Sequence, residues 1–329
     1  MFDTIAFSII RSFIDRRALQ LTLGARPPVT LKGRHRGPHA SITISNRKIL
    51  WRLVTVPDLA FGEAYMDGHL TVPENGLEPL VDLLMTNSNS WATHWTERVT
   101  LQIVNALAWL RHLNPRGRSR RNVAHHYDLS DALFDSFLDP WRQYSCGYFH
   151  GEEDTLETAQ VTKLARLAAK LDLQPDDRVL DIGCGWGGLA MAIGVQHKAG
   201  PVNRWITKYI FPGGYLPSIG QMIRHTETRG LKVLDMEVMR GHYAETLRLW
   251  RMRFLDRRAA MRRLYDARFV RLWEFYLVGC EYFFRRQHGM VLELQLAKDR
   301  MAAPMSRHYI RNRENEFKDR LWTLHLSGN

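Results

Sequence analysis

Cysteine is scarce in this chain. Cys146, Cys184 and Cys280 are the only three among 329 residues, and no two of them form a CxxC pair. This usage excludes a disulfide framework and indicates no zinc site, so we expect reduced thiols and no bound metal. Long apolar runs are lacking as well: the most apolar N-terminal run, residues 5–14, is interrupted by an arginine and is too short for a membrane span or a signal peptide. The default expectation is a cytoplasmic protein.

Acidic side chains are in deficit. The formal net charge is +12, and residues 201–329 contain 24 Lys and Arg against 13 Asp and Glu. Such a field favours an anionic partner, either nucleic acid or an acidic membrane surface. Because the sequence has no basic-aromatic RNA motif and no recognition-helix pattern, nucleic acid is the less favoured of the two, and we expect none.

A basic stretch divides the chain. The segment RHLNPRGRSRR, residues 111–121, combines Pro, Gly and five arginines, which is typical of a solvated, extended connection. It predicts a small N-terminal α+β domain over residues 1–115 and a larger domain over 116–329. In the small domain, two alternating runs within residues 27–47 are separated by Gly-Pro and predict a hairpin or meander. The larger domain has a helical pattern at 159–171, strand patterns at 178–182, 231–239 and 291–297, and two long arginine-rich helices within 243–286.

A glycine-rich loop follows the strand pattern at 178–182. In VLDIGCGWGGLA, Gly183, Gly185 and Gly187 allow the backbone to turn sharply and to approach a ligand at a helix N-terminus. The GxGxxG pattern alone is shared by sites for NAD, FAD and S-adenosylmethionine and by some tight turns. Asp181, just before the first glycine of the loop, favours S-adenosylmethionine as the ligand.

The usual partner of such a loop is missing. A carboxylate at the end of the next strand, about 20 residues on, normally holds the ribose hydroxyls. After Asp181 the next acidic residue is Glu227, and the interval contains no β-branched strand pattern. A complete doubly wound sheet therefore cannot be assembled, and we expect its core strands to be missing after about residue 194.

Several segments, taken in order, resemble one enzyme family. They are DLAFGEAYMDGHLTV, NVAHHYDLSDALFDSFLDPWRQYSCGYF, VLDIGCGWGGLA, ITKYIFPGGYLPS, HYAETLRLWRMRF and WEFYLVGC. Together they look like the cyclopropane-fatty-acyl-phospholipid synthases over nearly the whole chain. The resemblance implies an α/β, class I methyltransferase-like (Rossmann-like) domain, internally truncated here and preceded by a small α+β domain. Between Gly194 and Asn203 about a hundred residues of the family pattern are absent, close to the size of a small domain.

The resemblance also implies a reaction. Members of the family use S-adenosylmethionine to add a methylene across the cis double bond of an unsaturated phospholipid acyl chain. An alkene is a weak nucleophile, so the methyl sulfonium must be held in line with it in a dry site, and the resulting carbocation needs aromatic or anionic stabilisation. A base then removes a proton so that the ring closes, and in the family this base is bicarbonate. The missing interval carries two of the usual bicarbonate ligands.

The resemblance assigns roles to particular residues. Tyr243 would donate its hydroxyl to bicarbonate, Cys146 would line that site through its backbone, and Cys280 matches the cysteine traditionally assigned as active. A thiol on an apolar helix is more often a core residue than a nucleophile, so a structural role is favoured for Cys280. The residues expected to contact the cofactor are Tyr144, Ser145, Asp181, Gly183, Cys184, Gly185 and Gly187.

Two further sets have alternative interpretations. Trp141, Tyr144, Tyr148 and Phe149 form either a wall that stabilises a cation or an ordinary aromatic core. The arginines between 248 and 271 are interpreted as a largely solvated helix face that also attracts phospholipid headgroups.

The sequence thus leaves two functions open. The first is a cyclopropane synthase acting on unsaturated phospholipid, cytoplasmic and peripherally associated with the inner membrane face. The second is a catalytically impaired or inactive descendant that keeps at most lipid-surface binding. Because the ribose-binding carboxylate is missing, we expect S-adenosylmethionine to bind weakly or not at all. A homodimer is left open as the state of assembly.

Overall fold

The computed structural model describes residues 2–91, 129–174, 176–180, 193–196, 200–239, 241–287 and 289–327. The glycine loop and the predicted domain boundary at residues 115 and 116 lie outside these ranges. The described chain forms two compact units, and neither is continuous in sequence. Unit 1 comprises Met1–Leu129, Pro201–Tyr215 and Phe254–Gln287, and unit 2 comprises Ser130–Gly200, Leu216–Arg253 and His288–Asn329.

Unit 1 combines helices with a four-stranded sheet. Its elements are α1 (Phe2–Phe13), β1 (Arg16–Leu23), β2 (Val29–Lys32), β3 (His35–Ile44), α2 (Arg47–Thr55), α3 (Pro57–Met66), β4 (Leu70–Thr71), α4 (Leu77–Trp91), α5, which is the short helix Arg204–Tyr209, α6 (Arg258–Leu264) and α7 (Ala267–Arg286). The strand order is β2-β1-β3-β4. This arrangement is the α+β architecture expected for the N-terminal part of the chain.

The predicted hairpin within residues 27–47 is wrong in its pairing. Both runs are strands, β2 and β3, but they do not pair with each other. Instead β1 lies between them, antiparallel to β2 and parallel to β3, with Leu21 opposite Val29 on one side and Ile42 on the other. The central position suits β1 because Leu19, Leu21 and Leu23 alternate along it and are all buried.

The core of unit 1 lies between this sheet and its helices. Leu21, Ile44 and Leu50 are completely or almost completely buried in it. Helix α7 packs on α3 and α4, and polar contacts fix its position: the Tyr282 hydroxyl donates to Glu78 at 2.9 Å, and Arg286 Nε donates to Asp82 at 2.7 Å. A segment late in the sequence therefore completes the core of the N-terminal unit.

Unit 2 contains a smaller sheet flanked by helices. Its elements are α8 (Asp131–Phe134), α9 (Leu156–Lys170), β5 (Ile193–Gln196), α10 (Ile219–Thr228), β6 (Lys232–Val238), α11 (His242–Asp256), β7 (Gly289–Ala297) and α12 (His308–Ser327); α11 runs across the boundary of the two units at residue 253. The strand order is β5-β7-β6 and both pairings are antiparallel. The predicted helix at 159–171 and the predicted strands at 231–239 and 291–297 are confirmed as α9, β6 and β7.

The sheet of unit 2 has a charged face and an aliphatic face. The register places Glu237 opposite Glu293 on one face, and Met236 opposite Leu294 on the other. The charged face is neutralised from α9: Lys170 Nζ lies 2.6 Å from Glu237 and 2.7 Å from Glu293. Carboxylates can be buried here because cations of a packed helix pair with them.

A second cation extends this ionic network towards α12. Arg166 lies between Glu237 and Glu314, at 2.8 Å from each. Burial acts to raise the pKa of Glu237, but hydrogen bonds from Arg166 and Lys170 outweigh it and lower this pKa to about 2. The network therefore joins α9, β6, β7 and α12 as one electrostatic unit.

Two further secondary-structure predictions are wrong. No strand occurs at residues 178–180, the described part of the predicted strand 178–182, and Val179 and Leu180 are 53% and 82% exposed. A strand needs a neighbour for its backbone hydrogen bonds, and the described residues offer none at this position. The segment 243–286 forms three helices, α11, α6 and α7, rather than two, because breaks occur at residues 257 and 265–266.

The helices show no sign of a membrane span. Among the described residues, no helix combines the length and the apolar character that crossing a bilayer requires.

Candidate active site

The segment YSCGYF, residues 144–149, forms an extended loop in unit 2, and its entry is fixed by a buried carboxylate. Asp139 accepts hydrogen bonds from the backbone N–H groups of Trp141 at 3.0 Å and Gln143 at 2.8 Å. Burial raises the pKa of Asp139, while those backbone donors oppose the rise. The turn directs the chain so that residues 144–149, called here the YSCGYF loop, run between α9 and α11.

Helix α9 holds the YSCGYF loop from one side. Lys163, which is buried, donates to the Gln143 Oε1 atom at 2.7 Å and to the Ser145 hydroxyl at 2.8 Å. Gln160 Nε2 donates to the Ser145 carbonyl at 2.9 Å. Both the side chain and the backbone of Ser145 are therefore held in place from α9.

Helix α11 holds the same loop from the other side. The Gly147 N–H donates to Thr246 Oγ1 at 3.0 Å, and the Phe149 N–H donates to His242 Nδ1 at 3.2 Å. Gly147 also sits close to α9: a Cβ built on it would lie 3.1 Å from the Ala159 Cβ. Glycine is favoured there because any side chain would push the loop away from the helix.

Histidine 242 is neutral in this position. Burial lowers its pKa, and its Nδ1 accepts from Phe149, so the remaining proton lies on Nε2. Its ring stacks on Tyr148 with a centroid distance of 4.6 Å. Stacking and hydrogen bonding together fix the start of α11, where Tyr243 is the next residue.

Aromatic rings gather beside the loop. Trp250 is completely buried, with its ring centroid 5.2 Å from Tyr144, 5.8 Å from Phe137 and 6.0 Å from Tyr243. Phe134 contacts Tyr144 edge to face at 5.5 Å. We call these five residues the aromatic cluster. Their faces carry the negative part of the ring quadrupole, which attracts cations.

The structure brings together four of the predicted site residues. Tyr144, Ser145 and Cys146 lie on the YSCGYF loop, and Tyr243 belongs to the aromatic cluster through Trp250. Cys146 is buried, and burial raises its thiol pKa, so the side chain stays protonated. Its Sγ contacts the Gly147 carbonyl at 3.3 Å. The buried, protonated thiol is not a nucleophile near neutral pH, and the role of the Cys146 backbone stays a prediction.

Cys280 belongs to α7, in unit 1. Burial raises the pKa of its thiol to about 12. Since the thiolate is the nucleophilic form, a thiol with this pKa is inert near neutral pH. Asp181, Gly183, Cys184, Gly185 and Gly187 lie outside the described residues. Within the described residues no group of three or more His, Cys, Asp or Glu is arranged to hold a metal ion.

Two buried polar atoms beside the loop have no partner in the described part of the chain. They are Oε1 of Gln160, whose Nε2 binds Ser145, and Nε1 of Trp250, whose ring contacts Tyr144. Buried polar atoms are nearly always hydrogen-bonded, so an unpaired acceptor and an unpaired donor point to a polar ligand. Together with the aromatic cluster they fit a cation that also carries amino and carboxylate groups, as the methionine end of S-adenosylmethionine does.

Sequence reasoning missed Lys163, Gln160, Thr246 and Trp250. The helical pattern at residues 159–171 predicted that the leucines and alanines would be the buried side chains. Leu171 is instead 45% exposed, whereas Lys163 is buried. A polar residue flanked by a repeating apolar pattern gives no periodic signal of burial. The available signal was the position of Gln160 and Lys163 one turn apart on a helix that follows the YSCGYF segment closely.

The interpretation of the later arginines as a solvated face is wrong in part. Arg251 is buried, Arg253 pairs with Glu157 at 2.6 Å, and Arg271 donates to the Met66 carbonyl at 2.7 Å. Arg262 and Arg263 on α6 are exposed, as expected.

The charge on Lys163 leads to a pH-dependent stability. Burial lowers the pKa of Lys163 to about 8, from an ordinary value of 10.5. Between these values the unfolded chain keeps the proton that the folded chain has lost, so the free energy of unfolding rises with pH. From pH 8 to pH 10 we expect the free energy of unfolding to rise by about 2 kcal/mol, and we expect Lys163→Met to lack this rise. Urea unfolding of both proteins at each pH tests this, and parallel pH profiles would contradict it.

Comparison with known proteins gives consistent results. The family model described as mycolic acid cyclopropane synthetase matches residues 115–199 and 193–294. Tuberculostearic acid methyltransferase UfaA1 of Mycobacterium tuberculosis is 30% identical, over 73% of this chain and 79% of that protein. Cyclopropane-fatty-acyl-phospholipid synthase of Escherichia coli is 28% identical, over 75% of this chain and 85% of that protein.

A solved structure extends the likeness to the fold. Coclaurine N-methyltransferase, bound to N-methylheliamine and SAH, superposes with a TM-score of 0.56 at 14% identity, over 72% of this chain and 99% of that one. At this identity the likeness concerns the fold alone. It confirms the predicted α/β, methyltransferase-like fold class.

One alignment contains many gaps in this chain. The match to the Mycobacterium tuberculosis relative extends over 345 positions, more than the 329 residues of the whole chain, although it uses only 73% of them. Many positions of that relative therefore have no counterpart here. The family model matches in two segments that overlap at residues 193–199, and the gap between Gly194 and Asn203 stays a prediction.

Proposed function

The chain belongs to the mycolic acid cyclopropane synthetase family, and from this membership we propose that it acts as a cyclopropane-fatty-acyl-phospholipid synthase. The proposed reaction transfers a methylene from S-adenosylmethionine to the cis double bond of an unsaturated phospholipid acyl chain. The observation that supports it most strongly is the joint placement of the YSCGYF loop and the aromatic cluster in unit 2. Membership makes the chain part of an enzyme family of cyclopropane synthases and methyltransferases; the phospholipid substrate is the proposed part.

The aromatic cluster suits the charge that develops in such a reaction. Attack of an alkene on a methyl sulfonium leaves a carbocation, and the face of Trp250, Tyr144 or Tyr243 stabilises a cation at short range. The buried position of Trp250 keeps water away from that cation. Tyr144 and Tyr243, which are partly exposed, would offer an apolar contact to an acyl chain.

The cofactor would be held by residues of the loop. Ser145 and Tyr144 would bind the methionine end of S-adenosylmethionine, with the Gln160 Oε1 and Trp250 Nε1 atoms available for its amino and carboxylate groups. When bound, the cofactor supplies the activated methyl group. Lys163 orients Ser145 for this contact, and Gly147 allows the loop to lie flat on α9.

We further propose bicarbonate as the base, with Tyr243 donating its hydroxyl to it and the backbone at Cys146 lining its site. This assignment rests on family resemblance, and two of the usual ligands are absent from the chain. Its consequence is a bicarbonate-dependent rate that Tyr243 controls.

A second candidate function is favoured by a separate observation. Val179 and Leu180, in the pattern that leads into the glycine loop, are exposed and form no strand. With no carboxylate between Asp181 and Glu227, the chain would then be a catalytically impaired descendant that keeps lipid-surface binding alone. The two candidates differ in whether any product forms when S-adenosylmethionine is supplied at millimolar concentration.

The thiol of Cys280 provides a test of the catalytic assignment. Because its pKa is raised to about 12, Cys280 is not expected to act as a nucleophile. We expect Cys280→Ser to keep the transfer rate within about threefold of the parent, with any loss arising from packing in unit 1. Initial rates of methylene transfer check this. A loss of several hundredfold at unchanged thermal stability would restore Cys280 as a catalytic residue.

Location and partners complete the proposal. We place the protein in the cytoplasm, at the inner face of an acidic membrane, because its substrate would be a phospholipid and its net charge is +12. Nucleic acid is not a proposed partner. A homodimer stays a prediction.

A further inference from the structure

One loop of unit 2 exposes two large apolar side chains on a basic surface. It is the connection from β7 to α12, residues 298–307 (KDRMAAPMSR), called here the methionine loop. Met301 is 74% exposed and Met305 is fully exposed. Single exposed apolar residues are ordinary, but two of the most exposed ones on one short loop indicate a surface that contacts something apolar.

The methionine loop is anchored at both ends. Asp299, its only carboxylate, accepts from the Met301 N–H at 2.9 Å and so forms a tight turn. At the other end Arg307 lies 3.0 Å from Asp235 of β6. The two methionines therefore project from a fixed base, which reduces the entropy lost when they bind.

Apart from Arg307, four cations in or near the loop have no ion pair among the described residues. Lys298 and Arg300 belong to the loop. Lys232, at the start of β6, lies opposite the last residue of β7 in the sheet, and Arg229 shortly precedes β6. In the described ranges none of these four side chains forms an ion pair. Unpaired cations beside exposed apolar side chains are complementary to a lipid surface, whose phosphates are anionic and whose acyl region is apolar.

An aliphatic strip continues from the loop. Val233, Met236 and Val238 are each more than a third exposed, and they lie opposite Leu296, Leu294 and Leu292 on the uncharged face of the sheet. The surface thus changes from cations to methionines to aliphatic strand residues. A membrane interface shows the same change, from anionic headgroups to the apolar acyl region.

We propose that the methionine loop is the element by which this protein docks on anionic membranes, with Met301 and Met305 entering the interface and Lys298 and Arg300 contacting lipid phosphates. This inference rests on the lipid substrate proposed above and adds the surface that would meet it. The exposed arginines of α6 are not needed for docking.

Methionine oxidation provides a direct test on the unaltered chain. Exposed methionines react with hydrogen peroxide to form sulfoxides, which mass spectrometry locates. With phosphatidylglycerol vesicles we expect oxidation of Met301 and Met305 to slow severalfold, while Met252, 47% exposed on α11, reacts at an unchanged rate. Equal rates at Met301 and Met305 with and without bound vesicles would overturn the proposal. Their protection by protein concentration alone would assign the loop to a second copy of the chain instead.

A matched pair of variants tests the charges. The double variant Lys298→Ala with Arg300→Ala should bind phosphatidylglycerol vesicles with about 30-fold lower affinity, as measured by sedimentation. Its binding to phosphatidylcholine vesicles should be unchanged. Arg262→Ala with Arg263→Ala removes two exposed cations from α6 and should change binding less than about threefold. Equal losses for both pairs would contradict the loop assignment. Vesicle sedimentation requires no cofactor, so it measures docking alone. Methylene transfer to the same lipid in detergent micelles requires no docking, so it measures the reaction alone. Failure of docking and failure of the proposed reaction are therefore separate results.

Discussion

Replacing Tyr243 by Phe is expected to reduce the rate of methylene transfer about 100-fold, the usual contribution of a positioned proton-transfer partner. The ring would keep its edge-to-face contact with Trp250 at 6.0 Å, so the aromatic cluster stays intact and only the hydroxyl is lost. If that hydroxyl holds the base, the variant should also lose the dependence of its rate on added bicarbonate. Initial rates in buffer depleted of carbon dioxide, with and without bicarbonate, measure both effects.

A control separates this effect from general destabilisation. Tyr282→Phe also removes one buried hydroxyl, which donates to Glu78 in unit 1, and should leave the transfer rate unchanged while lowering stability by about 1 kcal/mol. If Tyr243→Phe retained the parent rate and its response to bicarbonate, the assignment of Tyr243 would be wrong.

The second large effect concerns stability. Lys170→Met removes the cation that lies 2.7 Å from Glu293 and 2.6 Å from Glu237. Glu237 keeps Arg166, but among the described side chains Glu293 pairs with no other cation, and burial already raises its pKa. An uncompensated buried carboxylate costs about 3–5 kcal/mol, so we expect the free energy of unfolding to fall by that amount.

A double variant tests the cause of that loss. Lys170→Met combined with Glu293→Leu removes both charges, and replacement of a buried pair by apolar side chains is often neutral. We therefore expect the double variant to recover most of the lost stability in urea unfolding. Lys298→Met, at an exposed lysine, is the matched control and should change stability by less than about 0.5 kcal/mol. A double variant that is less stable than Lys170→Met would show that packing, not charge, dominates.

Periodicity in the sequence was sufficient to predict the elements in which apolar side chains recur at regular spacing. Helix α9 and strands β6 and β7 were predicted because apolar residues recur along them at helical or alternating spacing. The pairing of β2 with β1 was not predicted, although the two strands are consecutive in sequence. The reason is that β1, RRALQLTL, begins with two arginines that mask its alternation. The pairing of β1 with β3 is parallel, and predicting it would require knowledge of the whole sheet.

The site was accessible to sequence only through family resemblance. Tyr144, Ser145 and Tyr243 were identified from the motifs that contain them, and the structure places all three near Lys163 or Trp250. The supporting residues were missed because a buried lysine contradicts the hydrophobic pattern that predicts burial. It is tolerated here because Gln143 and Ser145 satisfy its hydrogen bonds. Long-range contacts of this kind cannot be read from spacing.

The most direct test of the proposed function is to incubate the protein with unsaturated phosphatidylglycerol vesicles, bicarbonate and S-adenosylmethionine labelled in its methyl group, and to analyse the acyl chains by mass spectrometry. We predict a labelled cyclopropane chain, heavier by one methylene, whose yield continues to rise as the cofactor is increased into the millimolar range, because the ribose-binding carboxylate is missing. Absence of the labelled chain at millimolar cofactor, with vesicle binding intact, would contradict the proposed reaction and leave lipid-surface binding as the function.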